Sequence, residues 1–289
     1  EKLGIPVECL LIPYARETEE QVAILRLLAS VVRTRETIVL DVTHGFRHLP
    51  MLALVAARYL AHVARVKIGG IYYGALEMTP PDGETPVLRL DGMLNMLDWV
   101  EALATYDKDG DYGVFERLLI ADGMAGDKAA KLAQAAFYER SSNPVQARQK
   151  ITAAHEALAA HEGQLAALFK DALQERIAWF RGNTRHEWEL ALADAYLARH
   201  DYLRAAIFLF EAFVTRAAWE RHLDHNNYRD REQAWQEAKQ GNRPARKLEY
   251  LRNALTHGVK PDDREIVALV GNEKQLDNQL RKFRRELFA

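Results

Sequence analysis

A short polar segment between two apolar runs holds the first residues whose side chains suit chemistry. It reads Asp41-Val-Thr-His-Gly-Phe-Arg47 and contains a carboxylate, a hydroxyl, an imidazole and a guanidinium. Residues 37–40 before it favour a strand, and residues 50–60 after it favour a helix. Open α/β sheets bind ligands where a strand leads into a helix, and the free backbone N–H groups there suit anions. The segment therefore predicts a site for an anionic ligand.

A second group of chemically suitable residues lies more than 200 positions later. Arg252, Asn253 and His257 fall in the last turns of a predicted helix over residues 244–257, which Pro244 starts and Gly258 ends. A histidine transfers protons near neutral pH, an arginine binds phosphate oxygens through its forked donors, and an asparagine can orient either group. These side chains suit metal-free RNA cleavage, in which a ribose 2′-OH attacks the adjacent phosphate.

The spacing of Arg252 and His257 restricts how they can act together. Five residues turn about 140° around a helix axis, so the two side chains do not share a face. They converge on one site only if the helix end meets a second surface, such as a twin subunit. An alternative for His257 is interaction with the helix dipole. An alternative for Asp41 is a structural hydrogen bond, and Glu211 either assists the cleavage site or pairs with an arginine.

Other polar and aromatic residues have simpler interpretations. The spacing of His222 and His225 resembles a metal-ligand pair, but a solvated loop is the preferred interpretation because further ligands are lacking. Aromatic residues near the middle of the second half are expected in a core or a dimer interface: Trp179, Phe180, Phe208, Phe210, Phe213 and Trp219. Basic residues that could hold an RNA backbone are Arg243, Arg246, Lys247 and those of Arg281-Lys-Phe-Arg-Arg285.

Composition excludes several classes of protein. The 289 residues are 48% hydrophobic and 28% charged, which is typical of a globular chain with a sizeable core. The net charge of -2 argues against a chain that is basic throughout, so nucleic acid would contact a local patch. With Cys9 as its one cysteine, the chain can form neither an internal disulfide nor a cysteine-rich zinc site. We expect a cytoplasmic protein with no membrane span and no metal site.

The first part of the chain alternates between strand and helix patterns. We predict strands over residues 7–12, 37–42 and 66–74, a helix from Glu17 to Val32, and a turn followed by a second helix over residues 45–64. Such alternation predicts a parallel sheet built from βαβ units. Because the first predicted strand begins almost at once after Glu1, which is not a methionine, we expect earlier residues to exist.

Beyond about residue 94 the apolar spacing becomes helical throughout. Predicted helices cover residues 98–106, 112–120, 128–140, 145–161, 165–180, 187–200, 202–222, 244–257 and 263–287. Thr184 and Asp201 are candidate helix N-caps. The fold class is therefore α/β followed by all-α. The predicted domains are a Rossmann-like domain over residues 1–95, a helical connector over 96–182 and a helical domain over 183–289.

The segment Asp41-Val-Thr-His-Gly45 resembles the signature of the CRISPR-associated DxTHG-motif family. The resemblance continues through Phe46-Arg47, Pro50-Met-Leu52, Tyr59 and Tyr72-Tyr-Gly-Ala75, and then into Asp98-Trp99 and Ala102. It spans roughly residues 38–106. Members of that family join a CARF domain, a Rossmann-like sensor of cyclic oligoadenylates, to a helical HEPN domain. Family members usually begin with an extra strand and a ligand-contacting loop, which this chain lacks.

The resemblance implies a function for both groups of residues. The HEPN signature is an arginine followed four to six residues later by a histidine, and Arg252, Asn253 and His257 match it as catalytic residues. The residues implied to bind the cyclic oligoadenylate activator are Thr43, His44, Gly45, Phe46, Arg47, Tyr73 and Gly74. No cofactor or metal is implied. The implied protein is a homodimer or higher homo-oligomer that cleaves single-stranded RNA in type III CRISPR antiviral defence when it binds cyclic tetra- or hexa-adenylate.

Two other functions fit the same residues. The CARF half could sense its ligand while the helical half only dimerises or binds a partner, with no nuclease activity. Alternatively, Thr43 and His44 could allow the CARF site to cleave its own cyclic ligand.

Overall fold

The apolar runs of the first hundred positions form a small mixed sheet with helices. The computed structural model describes Gly4, residues 6–258 and residues 263–289. The chain divides into two units, Glu1–Asp98 and Trp99–Ala289, each with its own internal packing. In the first unit the elements are α1 (Thr18–Val31), β1 (Thr37–Asp41), α2 (Leu49–Tyr59), a π-helical turn (Leu60–Ala64), β2 (Lys67–Gly74), a 3-10 turn (Leu76–Met78) and β3 (Val87–Arg89).

The sheet has the order β1-β2-β3 and is parallel only in part. Strands β1 and β2 pair in parallel, as the alternating pattern predicts, with Asp41 opposite Tyr72. Strand β3 pairs antiparallel to β2 and was not predicted. Its three residues follow a Pro- and Gly-containing loop, and they are too few for a period-2 pattern to stand out. The expectation of an all-parallel sheet is therefore wrong.

The strand predicted over residues 7–12 is absent. This segment has no regular secondary structure, and Val7 and Leu11 are 85% and 95% exposed. A strand requires a neighbour for its N–H and C=O groups, and none of the three strands in the described part of the chain pairs with this segment. The apolar run indicates strand propensity, but propensity without a pairing partner does not make a strand.

A few apolar side chains hold the first unit together. Ala57 of α2, Ile71 of β2 and Leu94 form its buried centre, with Leu40, Val42, Leu54, Ile68, Leu90 and Leu97 packed around them. Leu94 belongs to helix α3 (Gly92–Asp109), which begins in this unit. Arg58 of α2 also forms an ion pair with Asp98 at 2.5 Å. This small core fixes β1, α2 and β2, the elements around the polar segment.

All regular elements in the described residues of the second unit are helices. Its elements after α3 are a 3-10 turn (Tyr112–Val114), α4 (Phe115–Ala121), α5 (Gly126–Arg140), α6 (Pro144–Ala160), α7 (Ala166–Arg176), a 3-10 turn (Ala178–Arg181), α8 (Arg185–Ala198), α9 (Tyr202–Glu220), α10 (Tyr228–Ala238), α11 (Arg243–His257), α12 (Arg264–Val270) and α13 (Glu273–Leu287). No helix in the described parts of the chain is long and apolar enough to cross a membrane.

Two features of the second unit differ from the predicted helices. Helix α10 was not predicted, because polar residues dominate it and only its inward face carries Ala234 and Trp235. The single helix predicted over residues 263–287 is two helices. They separate at Gly271, and the Asn272 side chain accepts a hydrogen bond from Gln275 N–H to start α13. Asparagine at this position is a strong N-cap and ends the continuous pattern.

The second unit has two large buried clusters and a smaller one of Ala217, Ala218 and Ala234. One large cluster consists of residues between Trp99 and Phe180, and the other of residues between Leu192 and Leu287. Trp179 packs against both large clusters. The predicted caps form: Asp201 accepts from Arg204 N–H, and Thr184 and Glu187 form a capping box at the start of α8. Phe208 and Phe210 are core residues as expected, whereas Trp219 is exposed.

A buried carboxylate joins three parts of the second unit. The hydroxyls of Tyr112 and Tyr196 each donate to Glu139 at 2.7 Å, and Glu139 is only 3% exposed. Burial raises the pKa of Glu139 because the protein interior disfavours the charged form. The folded chain therefore binds a proton at this group that the unfolded chain releases more readily. The corresponding stability is present at low pH and is lost as the pH rises through the folded pKa.

We expect Glu139→Gln to remove this pH dependence. The amide still accepts from a tyrosine hydroxyl but carries no charge. The free energy of unfolding of the variant, relative to that of the native chain, should therefore be greater at pH 8 than at pH 5. Urea unfolding at both pH values measures the difference. Glu175→Gln, a change at an exposed position, is the control and should show no such gain. An equal response of the two variants would contradict the assignment.

Candidate functional site

The polar segment after β1 is shaped by the side chain of its first residue. Asp41 Oδ1 accepts a hydrogen bond from the Thr43 backbone N–H at 2.9 Å. This contact is a turn in which a carboxylate binds the backbone two residues ahead. The hydrogen bonds from Thr43 lower the pKa of Asp41 because they favour the ionised form. Asp41 therefore makes the structural hydrogen bond that was the alternative to a direct ligand contact.

Thr43 and Gly74 contact each other across the end of the sheet. Gly74 N–H donates to Thr43 Oγ1 at 2.7 Å. A Cβ atom on Gly74 would lie 3.0 Å from Thr43 Cγ2, so the close approach favours glycine. Because β1 and β2 are parallel, both residues lie at the carboxyl ends of their strands. Two of the predicted ligand-binding residues thus join the two strand ends, while the Thr43 hydroxyl hydrogen can still be donated.

The four residues after Thr43 form an exposed turn that leads into α2. His44, Gly45, Phe46 and Arg47 are all exposed. Gly45 has a φ of +134°, a conformation that other residues rarely adopt. A Cβ atom there would also lie 2.9 Å from Leu49 Cδ1. The turn therefore presents an imidazole and a guanidinium to solvent beside the positive end of a helix.

An exposed aromatic group at this turn combines the predicted Phe46 with Tyr14 and His48, which the sequence analysis missed. Phe46 and His48 are stacked with ring centroids 5.8 Å apart, and Tyr14 lies 5.8 Å from Phe46. A ring nitrogen of His48 also lies 2.8 Å from the Tyr14 carbonyl oxygen. Tyr73, in contrast, is half-buried, and its hydroxyl lies 3.4 Å from Glu77. The exposed rings offer flat faces on which a nucleobase could stack.

An apolar cavity of about 670 Å³ lies between the N-terminal segment and α2. It is lined by Ala15, Arg16, Gln21, His48, Met51, Leu52, Leu54 and Val55. The predicted ligand-binding residues are absent from this lining. They are instead grouped on the exposed turn and at the end of β2.

In the second unit, α11 has the boundaries that its sequence predicts. The Asn242 side chain accepts from Ala245 N–H, Pro244 lies in the first turn, and Gly258 adopts the left-handed conformation after His257. These signals place Arg252 and Asn253 in the penultimate turn and His257 at the helix end. Residues 259–262 lie outside the described part of the chain.

Arg252 points into a cavity of about 400 Å³, called here the Arg252 cavity. Its guanidinium lies 4.3 Å from the centroid of the Phe210 ring. Its Nε–H is buried and has no hydrogen-bond partner. The cavity is lined by Phe210, Glu211, Val214, Tyr228, Arg231, Glu232, Trp235, Gln236, Glu249 and Arg252.

Asn253 and His257 do not line the Arg252 cavity. Asn253 is half-buried and His257 is exposed. The five-residue separation of Arg252 and His257 accounts for this, because their side chains leave the helix in different directions. Within a single chain, the structure therefore does not bring the predicted catalytic arginine and histidine into one cavity.

Several polar residues near α9 and α10 form internal contacts. Glu211 pairs with Arg231 at 2.5 Å, the second of its two interpretations. The carbonyl oxygen of His225 accepts from Arg185 and Arg231. His222 is exposed, His225 is half-buried, and no group of metal-ligating side chains occurs among the described residues.

Part of the predicted basic surface is already paired within the chain. Lys247 contacts Glu265, Arg281 contacts Asp277, Lys282 contacts Glu286, and Arg284 contacts Asp194. These carboxylates reduce the local positive charge. Two of these carboxylates, Glu265 and Asp194, belong to other helices than their partners, so their pairing could not be assigned from the sequence.

Comparison with a protein-family model concerns the first part of the chain. Residues 10–77 match the family model described as CRISPR system endoribonuclease Csx1, CARF domain. The CRISPR-associated protein MJ1674 of Methanocaldococcus jannaschii is 27% identical over 115 residues, which cover 39% of this chain and 18% of that protein. The match therefore spans less than a fifth of that relative. The matched region of the family model includes the exposed turn and the Thr43–Gly74 contact.

The hydrogen bond between Gly74 and Thr43 predicts a difference between two similar substitutions. Thr43→Val removes the acceptor and leaves a partly buried N–H unpaired, so it should lower the free energy of unfolding by about 1 kcal/mol. Thr43→Ser keeps the hydroxyl and should cost less. Hydrogen exchange at the Gly74 amide measures the effect locally: exchange should become faster in Thr43→Val than in Thr43→Ser. Equal exchange in the two variants would be inconsistent with this bond.

Proposed function

Because the chain is a CRISPR-associated protein that carries a CARF domain, we propose that it is an endoribonuclease activated by cyclic oligoadenylate. The match of residues 10–77 to the CARF domain of an endoribonuclease family carries the proposal. In this proposal the first unit senses the activator. The second unit contains a HEPN domain in its C-terminal part and cleaves single-stranded RNA. The activity would belong to type III CRISPR antiviral defence in the cytoplasm.

The exposed turn after β1 supports the sensor role. A cyclic oligoadenylate has phosphates and adenine bases, and the turn offers groups for both. Arg47 and His44 would contact phosphates, and the rings of Phe46, Tyr14 and His48 would stack on adenine. Thr43 and Gly74 would shape the edge of the site, with Gly45 allowing the backbone to turn and Tyr73 beside it. Tyr14 and His48 extend the predicted ligand-binding set.

The end of α11 supports the cleavage role. In the proposed reaction the ribose 2′-oxygen bonds to the adjacent phosphorus and the bond from phosphorus to the 5′-oxygen breaks. His257 would take the 2′-hydroxyl proton or supply a proton to the departing 5′-oxygen. Arg252 would neutralise charge on the phosphate oxygens, and Asn253 would orient one of these groups. No metal ion takes part in this scheme.

The separation of Arg252 from His257 favours a site that a second copy completes. Because the two side chains do not share a cavity in one chain, His257 of one subunit could approach Arg252 of another in a homodimer. The same observation favours one alternative, in which the helical unit binds a partner and has no nuclease activity. The two functions differ in whether RNA is cut.

RNA cleavage with and without activator tests the proposal. Labelled single-stranded RNA should be cut when cyclic tetra- or hexa-adenylate is added, with EDTA present throughout. His257→Asn should reduce the stimulated rate by at least about 100-fold, as expected for loss of a general acid–base. The products should carry 2′,3′-cyclic phosphate ends.

His222→Asn is a matched control for the cleavage assay. His222 is also an exposed histidine after a helix in the same unit, and asparagine tolerates its left-handed backbone. This variant should cleave at the native rate. Activator binding without any cleavage would instead support the partner-binding alternative.

Activator binding should depend on Arg47 more than on other exposed arginines. Arg47→Ala should weaken binding of cyclic oligoadenylate by about tenfold or more, since a charge-assisted contact to phosphate is worth about 1.5–3 kcal/mol. Arg33→Ala is the control, because Arg33 is an exposed arginine that lies before β1. Isothermal titration calorimetry measures both. Equal losses would show that net charge, and not the turn, attracts the ligand.

A further inference from the structure

The Arg252 cavity has a lining that cleavage of a phosphodiester does not require. We propose that this cavity receives one base of the RNA and favours bases with an exocyclic amino group over uracil. The inference rests on the proposed function to the extent that the helical unit binds RNA. It adds a recognition site and a base preference to that function.

Aromatic side chains give the cavity surfaces that suit a flat ring. Phe210 and Trp235 meet edge to face with centroids 4.9 Å apart, and Arg252 covers the Phe210 ring. Tyr228, the first residue of α10, lines the cavity and is 80% exposed. Its ring is free to stack on an incoming base, as unpaired RNA bases do on aromatic residues. The volume of about 400 Å³ lies within the range of small-molecule sites.

Charge in the cavity argues against a phosphate as its occupant. The lining has three glutamates, Glu211, Glu232 and Glu249, against two arginines, Arg231 and Arg252. The Glu211–Arg231 ion pair leaves two carboxylates and the Arg252 guanidinium for a ligand. A phosphate would meet more negative than positive charge. An uncharged ligand that donates hydrogen bonds meets no such repulsion.

The position of Glu249 identifies which donors fit. One of its oxygens accepts from Trp235 Nε1 at 3.1 Å, so the carboxylate is held at the cavity wall. Carboxylates accept from the amino group of cytosine, and they accept equally from those of adenine and guanine. Uracil has a carbonyl oxygen in place of the cytosine amino group, and that oxygen would face a carboxylate. Glu249 and Glu232 therefore disfavour uracil.

The Arg252 guanidinium, which lines the cavity, supplies the complementary donor. Cytosine has a donor and two acceptors along one edge. Its N4 amino group would donate to a carboxylate, while N3 and O2 would accept from Arg252. One terminal nitrogen of Arg252 would then donate to the base while the other contacts a backbone phosphate.

Binding of C10 and U10 ribo-oligonucleotides tests the preference without varying ring size. The probes are fluorescein-labelled, and the full chain carries His257→Asn so that the RNA stays intact. We expect C10 to bind about tenfold more tightly than U10 by fluorescence anisotropy, in line with one specific base contact.

Glu249→Gln should reduce this ratio to about two or less, because the amide can donate to the uracil carbonyl. Tyr228→Ala should weaken both probes by about tenfold through lost stacking, and Tyr228→Phe should not.

Glu237→Gln serves as the control for charge. Glu237 is exposed on α10 and does not line the cavity, so this variant should keep the tenfold ratio. Thermal unfolding of each variant identifies any that fail to fold. Tyr228→Ala and Tyr228→Phe test the cavity a second time, at an exposed position where substitution should not disturb folding. Equal binding of C10 and U10, a ratio unchanged by Glu249→Gln, or no RNA binding at all would overturn the inference.

The outcome is separable from that of the proposed function. Activator-stimulated cleavage with equal rates on C- and U-containing substrates would retain the nuclease and overturn the base pocket. Selective binding of C10 with no stimulated cleavage would retain the pocket and contradict the nuclease.

Discussion

The parallel pairing of β1 and β2 is the constraint on which the proposed sensor site depends. A parallel pair brings two carboxyl ends to one edge of the sheet and requires a crossover, which α2 provides. The Gly74–Thr43 hydrogen bond joins those ends, and the Asp41–Thr43 bond sets the turn that follows. With the strand ends joined, the next four residues are displayed to solvent before α2 begins. The turn of residues 44–47 is therefore exposed because the residues on either side of it are held in the sheet and the helix.

The helical unit uses its aromatic residues in two ways. Tyr112 and Tyr196 satisfy a buried carboxylate, while Phe210 and Trp235 continue from the core into the wall of the Arg252 cavity. A wall that is part of the core is rigid, so it can hold Arg252 and Glu249 in fixed directions.

The two proposed groups of functional residues differ in how much of their environment is local. The turn after β1 draws its geometry from residues within about thirty positions, because β1, α2 and β2 are consecutive. The Arg252 cavity combines side chains of α9, α10 and α11. His257, the proposed catalytic partner of Arg252, is exposed and does not line this cavity. A local site can be inferred from a motif. A site assembled from several helices, or from two subunits, depends on packing that no single motif encodes.

The sequence by itself determined the α/β start, the helical remainder, the boundaries of α11 and the turn after β1. Each follows from local chemistry: apolar period, caps, glycine and proline. Only the tertiary structure decided that residues 7–12 are not a strand, that β3 runs antiparallel, and that Glu211 pairs with Arg231. It also decided that Trp235 and Glu249, from two helices, share a cavity with Arg252. Such contacts depend on which distant segments of the chain pack together. The pattern of residues along the sequence indicates local secondary structure but does not identify those segments.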